Sequence, residues 1–284
     1  MSEIDLHTHS TASDGTLSPT ELVALAKKLG LKAIALTDHD TLAGLEEALK
    51  AGEEFGIEVI PGCELSVHFK GITHILGLWL KPDALALEQA FRYLHQKRAE
   101  RNILIVEKLQ KLGFAITYEE VEAKAKGTVG RPHIAQVLVE KGLVSSLEQA
   151  FCEYLGPRGK AFVPKEKFTP EKAIQILKQE GATVILAHPI SLGLEGEELK
   201  KDIMRLKEWG VEGIEVFYSE YTSEQTQFFV RLARELHLLA SGGSDFHGQN
   251  KPHIQLGKGL GNLHLPYSLL ENLKANRAKQ GLWV

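Results

Sequence analysis

Histidine and carboxylate residues recur where short apolar segments of this chain end. His7 and His9 are separated by one threonine, so on a β-strand both side chains point to the same side and can bind one metal ion. Further candidates follow later apolar segments: His39, Glu64, His188, Asp245 and His247. One His-x-His pair is equally well explained by ordinary polar residues. The recurrence is what predicts a metal-dependent catalytic site.

These side chains need elements that bring them together. In residues 1–82, short apolar segments alternate with amphipathic ones, as in β-strand and α-helix units around a parallel sheet. Ser18, Pro19 and Glu21 predict a helix start, and Gly30 predicts its end. A second helix is predicted from Thr41 to near residue 56. The predicted strands in this part are 32–36, 57–60 and 72–80.

The alternation stops between about residues 82 and 169. Residues 84–112 predict one long helix, and further helical segments are expected near Tyr118, His133 and Ser145. Strands are again predicted at 183–187, 213–217 and 238–241, separated by amphipathic segments near Glu197 and Ser223. We therefore expect residues 1–82 and 169–284 to form one α/β domain and residues 83–168 to form a helical insertion.

The predicted strands place the candidate ligands at one end of a barrel. Parallel α/β barrels carry their active-site residues at the carboxyl ends of the strands. A purely structural role would leave the recurrence at these strand ends without an explanation. The pattern therefore favours one metal centre shared by several strands.

Composition excludes several other classes of protein. The 284 residues are 43% hydrophobic and 25% charged, which is typical of a soluble globular protein. No apolar run approaches the roughly 18 residues of a membrane span, and the first residues lack the basic and apolar regions of a signal peptide. We expect a cytoplasmic protein without a membrane partner. The net charge of -4 argues against stable binding of duplex nucleic acid.

The order of the motifs gives a more specific indication. The motifs are His7-Thr8-His9, Asp14, Thr37-Asp38-His39, Glu64, His74, His188-Pro189 and Asp245-Phe246-His247. Together they resemble those of the PHP (polymerase and histidinol phosphatase) phosphoesterases over nearly the whole chain. The resemblance implies an α/β fold, a distorted TIM-like (β/α)7 barrel, with up to three divalent metal ions.

The resemblance also implies three groups of ligands. His7, His9, Glu64 and Asp245 would hold one metal ion, Glu64, His74 and His188 a second, and Asp14, His39 and His247 a third. Glu64 would bridge the first two. Imidazole and carboxylate ligands without thiolate suit manganese, iron or zinc, and the resemblance favours manganese. Some family members carry histidine where this chain has Asp14, which leaves the third site's metal and occupancy open.

The expected activity is that of a metal-dependent phosphatase or phosphodiesterase. Hydroxide from a metal-activated water would attack a phosphomonoester. The inserted segments 97–102 and 130–133 are similar to those of the branch acting on nucleoside 3′,5′-bisphosphates and short RNA. We therefore expect removal of the 3′-phosphate from such nucleotides, together with 5′-3′ trimming of short single-stranded RNA. A histidinol-phosphate phosphatase, an amidohydrolase and a noncatalytic metal-binding module are the alternatives, and the oligomeric state stays open.

The insertion, which the resemblance places over the active site, should supply the substrate contacts. The candidates are Arg101, Asn102, Arg131 and His133, since guanidinium groups bind phosphate in bidentate geometry and a helix start attracts anions. For Arg101 a solvated helix face is the alternative, and for Arg131 and His133 a plain capping loop. His133 is also the candidate to protonate the leaving group. Asp38 either orients the ring of a metal ligand or caps a helix.

Overall fold

The computed structural model describes residues 2–125 and 129–284. They divide into two compact units. One contains the chain up to Glu88 and from Phe168 onward, and the other contains Gln89–Lys167. Within the described residues, no helix has the combination of length and apolar character that a membrane crossing requires.

The first unit is a seven-stranded sheet whose strands follow one another in chain order. They are β1 (Ile4–Thr8), β2 (Ala33–Leu36), β3 (Glu58–Val67), β4 (Thr73–Leu78), β5 (Thr183–Leu186), β6 (Gly213–Tyr218) and β7 (Leu239–Gly243). The end of β7 returns to β1, where Asp245 N–H donates to the His7 carbonyl at 2.9 Å and His9 N–H donates to the Phe246 carbonyl at 3.0 Å. The predicted distorted barrel is confirmed.

The closure of the barrel depends on a close approach between β7 and β1. A Cβ atom on Gly243 would lie 2.3 Å from the Cβ of His7, a distance that no side chain tolerates. Glycine at this position therefore lets the backbone of β7 pass directly beside the first predicted metal ligand.

One strand runs against the expected parallel arrangement. β4 is antiparallel to both β3 and β5. Only residues 68–72 join β3 to β4, which is too short for the crossover that a parallel pair needs. β3 is also longer than the predicted 57–60, because it continues through Glu64 to pair with β4. The first residues of β4 therefore lie at the carboxyl end of β3, which brings His74 to the same end as the other candidate ligands.

Helices flank the barrel strands. They are α1 (Pro19–Lys28), α2 (Leu45–Phe55), α7 (Pro170–Gln179), α8 (Gly196–Trp209), α9 (Ser223–Glu235) and α10 (Tyr267–Lys279). The predicted start of α1 is present, because the Ser18 side chain accepts from Glu21 N–H and the Glu21 carboxylate accepts from Ser18 N–H. α2 begins at Leu45, four residues later than expected, and ends at Phe55, where Gly56 caps it with a left-handed φ of 64°. The sequence analysis did not identify α7 or α10.

The barrel core shows why β1 can carry polar residues. Ile4 and Leu6 pack with Leu76, Ile185 and Leu270 in one buried hydrophobic cluster. Since side chains alternate along a strand, Asp5 and His7 point to the opposite side. β1 is therefore anchored by its apolar residues, while His7 faces the carboxylates described below.

The second unit is helical. The long helix α3 (Leu85–Lys111) starts in the first unit, and α4 (Tyr118–Glu122), α5 (Arg131–Glu140) and α6 (Leu147–Gln149) follow, with a π-helical turn at Ala150–Leu155. The unit has its own buried core, which includes Ile105, Leu109, Ile134, Leu138 and Leu155. The helices predicted at 84–112 and near Tyr118 and His133 are present.

Candidate metal centre

Glu64 lies at the centre of the predicted metal ligands. Its Oε2 atom is 3.2 Å from Nε2 of His7 and 3.2 Å from Nε2 of His9. The same oxygen is 3.1 Å from Nδ1 of His39. Three histidines from the ends of β1 and β2 therefore converge on one carboxylate oxygen of β3.

The second oxygen of Glu64 faces a different pair of histidines. Its Oε1 atom is 2.9 Å from Nδ1 of His74 and 3.1 Å from Nε2 of His188. A carboxylate whose two oxygens contact separate groups of imidazoles has the geometry of a bridging ligand.

Asp245 and Asp14 complete the set. Oδ1 of Asp245 is 3.2 Å from Nε2 of His9 and 3.4 Å from Nδ1 of His247. Oδ1 of Asp14 is 3.2 Å from Nε2 of His247, and its Oδ2 is 3.9 Å from Nε2 of His39. The structure thus brings all nine predicted ligands into one continuous cluster.

The potential ligand atoms form three groups, each within 4.8 Å. The groups are His7, His9, Glu64 and Asp245; His9, Asp14, His39 and His247; and His39, Glu64 and His74. The first group has the composition inferred from the sequence. The second adds His9 to the expected residues, and the third contains His39 where His188 was expected. His188 nevertheless contacts Glu64 through Oε1, as described above.

Several polar atoms at the centre of the cluster have no hydrogen-bond partner in the described part of the chain, and this indicates whether the cluster suits metal ions. Nε2 of His7, Nε2 of His9 and Oε2 of Glu64 are buried and form no hydrogen bond among the described residues. A buried polar atom without a partner costs on the order of 1–3 kcal/mol. These atoms approach one another without hydrogen-bond geometry, and nitrogen and oxygen donors suit first-row divalent ions. The residues therefore fit a divalent metal centre.

Buried charges determine how the cluster titrates. Burial opposes a charge on His9, but close contacts with Asp245 and Glu64 outweigh it and raise the pKa of His9 to about 9. Burial likewise opposes charge on Glu64, yet the neighbouring histidines, His7 first, hold the pKa of Glu64 well below its usual range. In His39 burial dominates, and the positive charges of His9 and His74 add to it, which lowers its pKa to about 4. Without metal, the cluster therefore holds protons on some rings and not on others.

Glu215 is a buried residue of the site that the sequence analysis missed. Its Oε1 atom is 3.0 Å from Nδ1 of His7, and its Oε2 atom accepts a hydrogen bond from His188 N–H at 2.6 Å. The available signal was a glutamate within the otherwise uncharged strand β6, where a charge is retained only with partners.

Two of the predicted ligands lie in unusual backbone conformations. His188 has a φ of 25° and Asp245 a φ of 56°, in a region that non-glycine residues rarely adopt. The bond from His188 N–H to Glu215 and the bond from Asp245 N–H to the His7 carbonyl hold these conformations. Such strain is typical of functional sites, where the surrounding structure enforces it.

Asp245 also has partners away from the histidines. The Tyr218 hydroxyl donates to Oδ2 of Asp245 at 3.0 Å, and Lys251 Nζ lies 2.6 Å from the same oxygen. Neither Tyr218 nor Lys251 was a sequence-based candidate. A cavity of about 270 Å³ opens beside them, lined by His39, Glu64, Ile72, His74, His188, Ser191, Tyr218, Glu220, Asp245 and Lys251.

Asp38 contacts serines instead of a histidine ring or a helix end. Its Oδ1 accepts from Ser10 N–H at 2.8 Å and from the Ser13 hydroxyl at 2.5 Å, and its Oδ2 accepts from the Ser10 hydroxyl at 2.6 Å. These bonds fix the turn after β1. Asp38 therefore positions the segment that carries Asp14, which neither sequence-based alternative described.

The four predicted substrate residues lie within the helical unit. The Arg101 guanidinium donates to Oδ1 of Asn102 at 2.8 Å, and Asn102 Nδ2 donates to the Val129 carbonyl at 2.9 Å. Arg131 Nη1 donates to the Leu155 carbonyl at 2.9 Å. Nδ1 of His133 accepts from Gly130 N–H at 3.0 Å at the start of α5.

Comparisons with known proteins agree with this geometry. Residues 5–181 match the family model described as the PHP domain. A 5′-3′ exoribonuclease of Haemophilus influenzae is 43% identical over 260 residues, which are 90% of this chain and 93% of that protein. A 3′,5′-nucleoside bisphosphate phosphatase of Chromobacterium violaceum is 32% identical over 260 residues, covering 90% of this chain and 91% of that protein.

A solved structure shows the same fold. A Bifidobacterium adolescentis protein, described as a metal-dependent phosphoesterase, has a TM-score of 0.74 and 30% identity, with 96% of both chains covered. With the metal-ligand cluster described above, these findings show that the chain belongs to the PHP family of metal-dependent phosphoesterases.

Proposed function

We propose that this protein is a nucleotide phosphatase that removes the 3′-phosphate from nucleoside 3′,5′-bisphosphates. The observation that carries the proposal is the clustering of nine imidazole and carboxylate side chains, with Glu64 at their centre. The similarity to the Chromobacterium violaceum phosphatase supports the choice of substrate.

We propose manganese as the preferred metal, with iron or zinc as alternatives and up to three ions in the site. The mixed nitrogen and oxygen donors and the absence of a thiolate among these nine residues support this choice. Bound divalent ions supply an ionisable water and positive charge next to a phosphate. The chain itself contributes rigid positioning, since Glu215 and the β1–β7 hydrogen bonds fix four of the proposed ligands: His7, His9, His188 and Asp245.

The helical segment 83–168 is proposed to cover the site and to bind the rest of the nucleotide. Burial, followed by the like charges of Arg131 and Arg98, lowers the pKa of Arg101 to about 10. Guanidinium groups held near one another create a region that favours an anion. A second phosphate of the substrate is the anion we expect there, with Asn102 holding the Arg101 side chain in place.

His133 is proposed to donate a hydrogen bond to the substrate. Because its Nδ1 accepts from Gly130 N–H, the neutral ring carries its proton on Nε2. Protonating the ring would place a hydrogen on Nδ1 and break this bond at the start of α5. The geometry thus supports a hydrogen-bonding role more than the expected role as a leaving-group acid.

Trimming of short single-stranded RNA from the 5′ end is the second activity we propose. It is supported by the 43% identity to the Haemophilus influenzae exoribonuclease over 90% of this chain. The same metal centre would serve both activities, since each hydrolyses a phosphate ester. The cytoplasmic location expected from the sequence stays a prediction.

The test is a side-by-side assay of manganese-loaded protein. Adenosine 3′,5′-bisphosphate, histidinol phosphate and a short 5′-phosphorylated RNA are incubated separately, and released phosphate and nucleotides are measured. We expect the bisphosphate or the RNA to have the highest kcat/KM. Preference for histidinol phosphate would contradict the proposed substrate but not the metal centre, whereas inactivity on all three would contradict the proposed function.

A further inference from the structure

Lys251 extends into the cavity beside the metal-ligand cluster. It follows the short 3-10 turn Gly248–Asn250 after β7, and its side chain is 37% exposed. Its ammonium group lies 2.6 Å from Oδ2 of Asp245. The charge is thus held at the opening of the cavity, where an entering ligand can reach it.

The two oxygens of Asp245 have separate partners. Oδ1 faces the rings of His7, His9 and His247, whereas Oδ2 faces the Tyr218 hydroxyl and Lys251. Lys251 therefore lies next to the metal-ligand cluster but contacts only Oδ2 of Asp245. Oδ1, which faces the histidines, is not engaged by the lysine.

The charges around the cavity make this lysine distinctive. Among the described residues that line the cavity, Lys251 is the only lysine or arginine, while Glu64, Glu220 and Asp245 are acidic. When a phosphate dianion enters this cavity, its oxygens that do not contact a metal ion need a positively charged group beside them. A lysine ammonium supplies that charge with three N–H donors.

Hydrogen bonds hold the segment that carries Lys251. Gln249 N–H donates to the Thr16 hydroxyl at 2.9 Å, and Asn250 Nδ2 donates to the Asp14 carbonyl at 2.8 Å. The turn is therefore tied to the segment that carries the candidate ligand Asp14. This attachment positions the base of the Lys251 side chain relative to the metal centre.

We propose that Lys251 is a substrate-binding residue that contacts the phosphoryl group to be hydrolysed. The inference rests on the proposed phosphatase function and adds a phosphate contact supplied by the barrel itself. One N–H of the ammonium group stays on Asp245 while another donates to a phosphoryl oxygen. Lys251 thereby binds the phosphate from the side of Asp245.

The test compares Lys251→Met with Lys258→Met. Lys258 also lies in the segment that follows β7, but it is exposed and does not line the cavity. We expect K251M to raise KM and the dissociation constant for inorganic phosphate about 10- to 100-fold, as for loss of a charged hydrogen bond. Manganese content should be unchanged, K258M should resemble the wild type, and K251R should recover part of the affinity.

Phosphate binding is measured by calorimetry on the manganese-loaded protein, independently of turnover. Unchanged phosphate affinity in K251M would overturn the proposal, as would a weakening that is matched by loss of manganese. If the wild-type protein hydrolysed none of the three test substrates, the proposed function would fail. The calorimetric comparison would still decide whether Lys251 binds phosphate.

Discussion

Glu215 holds the ring of His7 from the side opposite the metal-ligand cluster. Its Oε1 atom lies 3.0 Å from Nδ1 of His7, while Nε2 of the same ring lies 3.2 Å from Oε2 of Glu64. A hydrogen on Nδ1 that is donated to Glu215 leaves the Nε2 lone pair free for a metal ion. Because Glu215 also accepts from His188 N–H, one buried carboxylate orients two candidate ligands.

The first prediction concerns Glu215→Gln. An amide has only one acceptor oxygen, so it cannot accept from both His7 and His188. We expect manganese affinity to fall about 10- to 100-fold, as is usual when the hydrogen-bond partner of a ligating histidine is lost. The measurement is a competition titration with a metal chelator, with circular dichroism to verify that the protein is folded.

Glu212→Gln is the matched control for this change. Glu212 lies just before β6, and its Oε2 accepts from Val184 N–H at 3.1 Å, much as Glu215 accepts from His188. It is not among the ligands or their hydrogen-bond partners described above. E212Q should therefore keep the manganese affinity of the wild type, and an equal loss in both variants would argue against a specific role for Glu215.

The second prediction concerns Glu64→Gln. The substitution removes the charge that faces five histidines through two oxygens. We expect at least one equivalent of manganese to be lost and kcat/KM to fall by more than about 100-fold, beyond the usual effect of a residue that only orients a ligand. Metal content is measured by elemental analysis after gel filtration.

Glu220→Gln serves as the control for Glu64, because Glu220 lines the same cavity without belonging to the three ligand groups. E220Q should retain the full metal content. Full metal content in E64Q as well would show that Glu64 is not a ligand.

The third prediction is that manganese binding releases protons. The pKa of His9 is about 9 in the metal-free protein, above the usual value of 6.5, so this ring must lose a proton before it binds metal at neutral pH. Apparent manganese affinity should therefore rise between pH 6.5 and 9. Calorimetry in buffers with different ionisation enthalpies measures the protons released, and an affinity independent of pH over this interval would contradict the assignment of His9.

The same shift has the opposite effect on the stability of the metal-free protein. A histidine whose pKa is higher in the folded state contributes stability that is fully present below pH 6.5. This contribution is lost as the pH rises through about 9. Thermal unfolding of metal-free protein should therefore occur at a lower temperature at pH 9.5 than at pH 6.5, whereas added manganese should reduce or reverse the difference.

The clustering of the candidate metal ligands could be predicted because its signals are local. The spacing of His7 and His9 places both rings on one side of a strand, and the end of an apolar segment marks the edge of the sheet. The helix start at Ser18 is local in the same sense, since all of its hydrogen bonds lie within four residues. Motif order then identified Asp14 and His74, which strand ends alone would not have indicated.

The remaining features depend on distant parts of the chain. The antiparallel course of β4 was missed because β3 was expected to end at residue 60, and only its pairing with β4 extends it to Val67 and leaves the short connection at 68–72. Glu215 and His7 are 208 positions apart, and only closure of the barrel brings them together. The position of Lys251 beside the candidate ligands could not be predicted either, because most of the other residues that line its cavity come from distant parts of the chain.

The last prediction concerns Asp38→Asn. Asp38 accepts three hydrogen bonds from Ser10 and Ser13, and an amide can keep only part of this set. The turn after β1, which carries Asp14, should become less rigid, so a metal ion at the proposed site that contains Asp14 should bind more weakly, while ions at the proposed sites that contain Glu64 remain bound. Titration with manganese, followed by metal analysis, should therefore show the loss of one equivalent of manganese only. Asp40→Asn is the control, because its carboxylate accepts from Ser66 N–H and asparagine tolerates the left-handed backbone at this position. An equal loss from all sites in D38N, or no loss from any, would contradict the role of Asp38 in positioning Asp14.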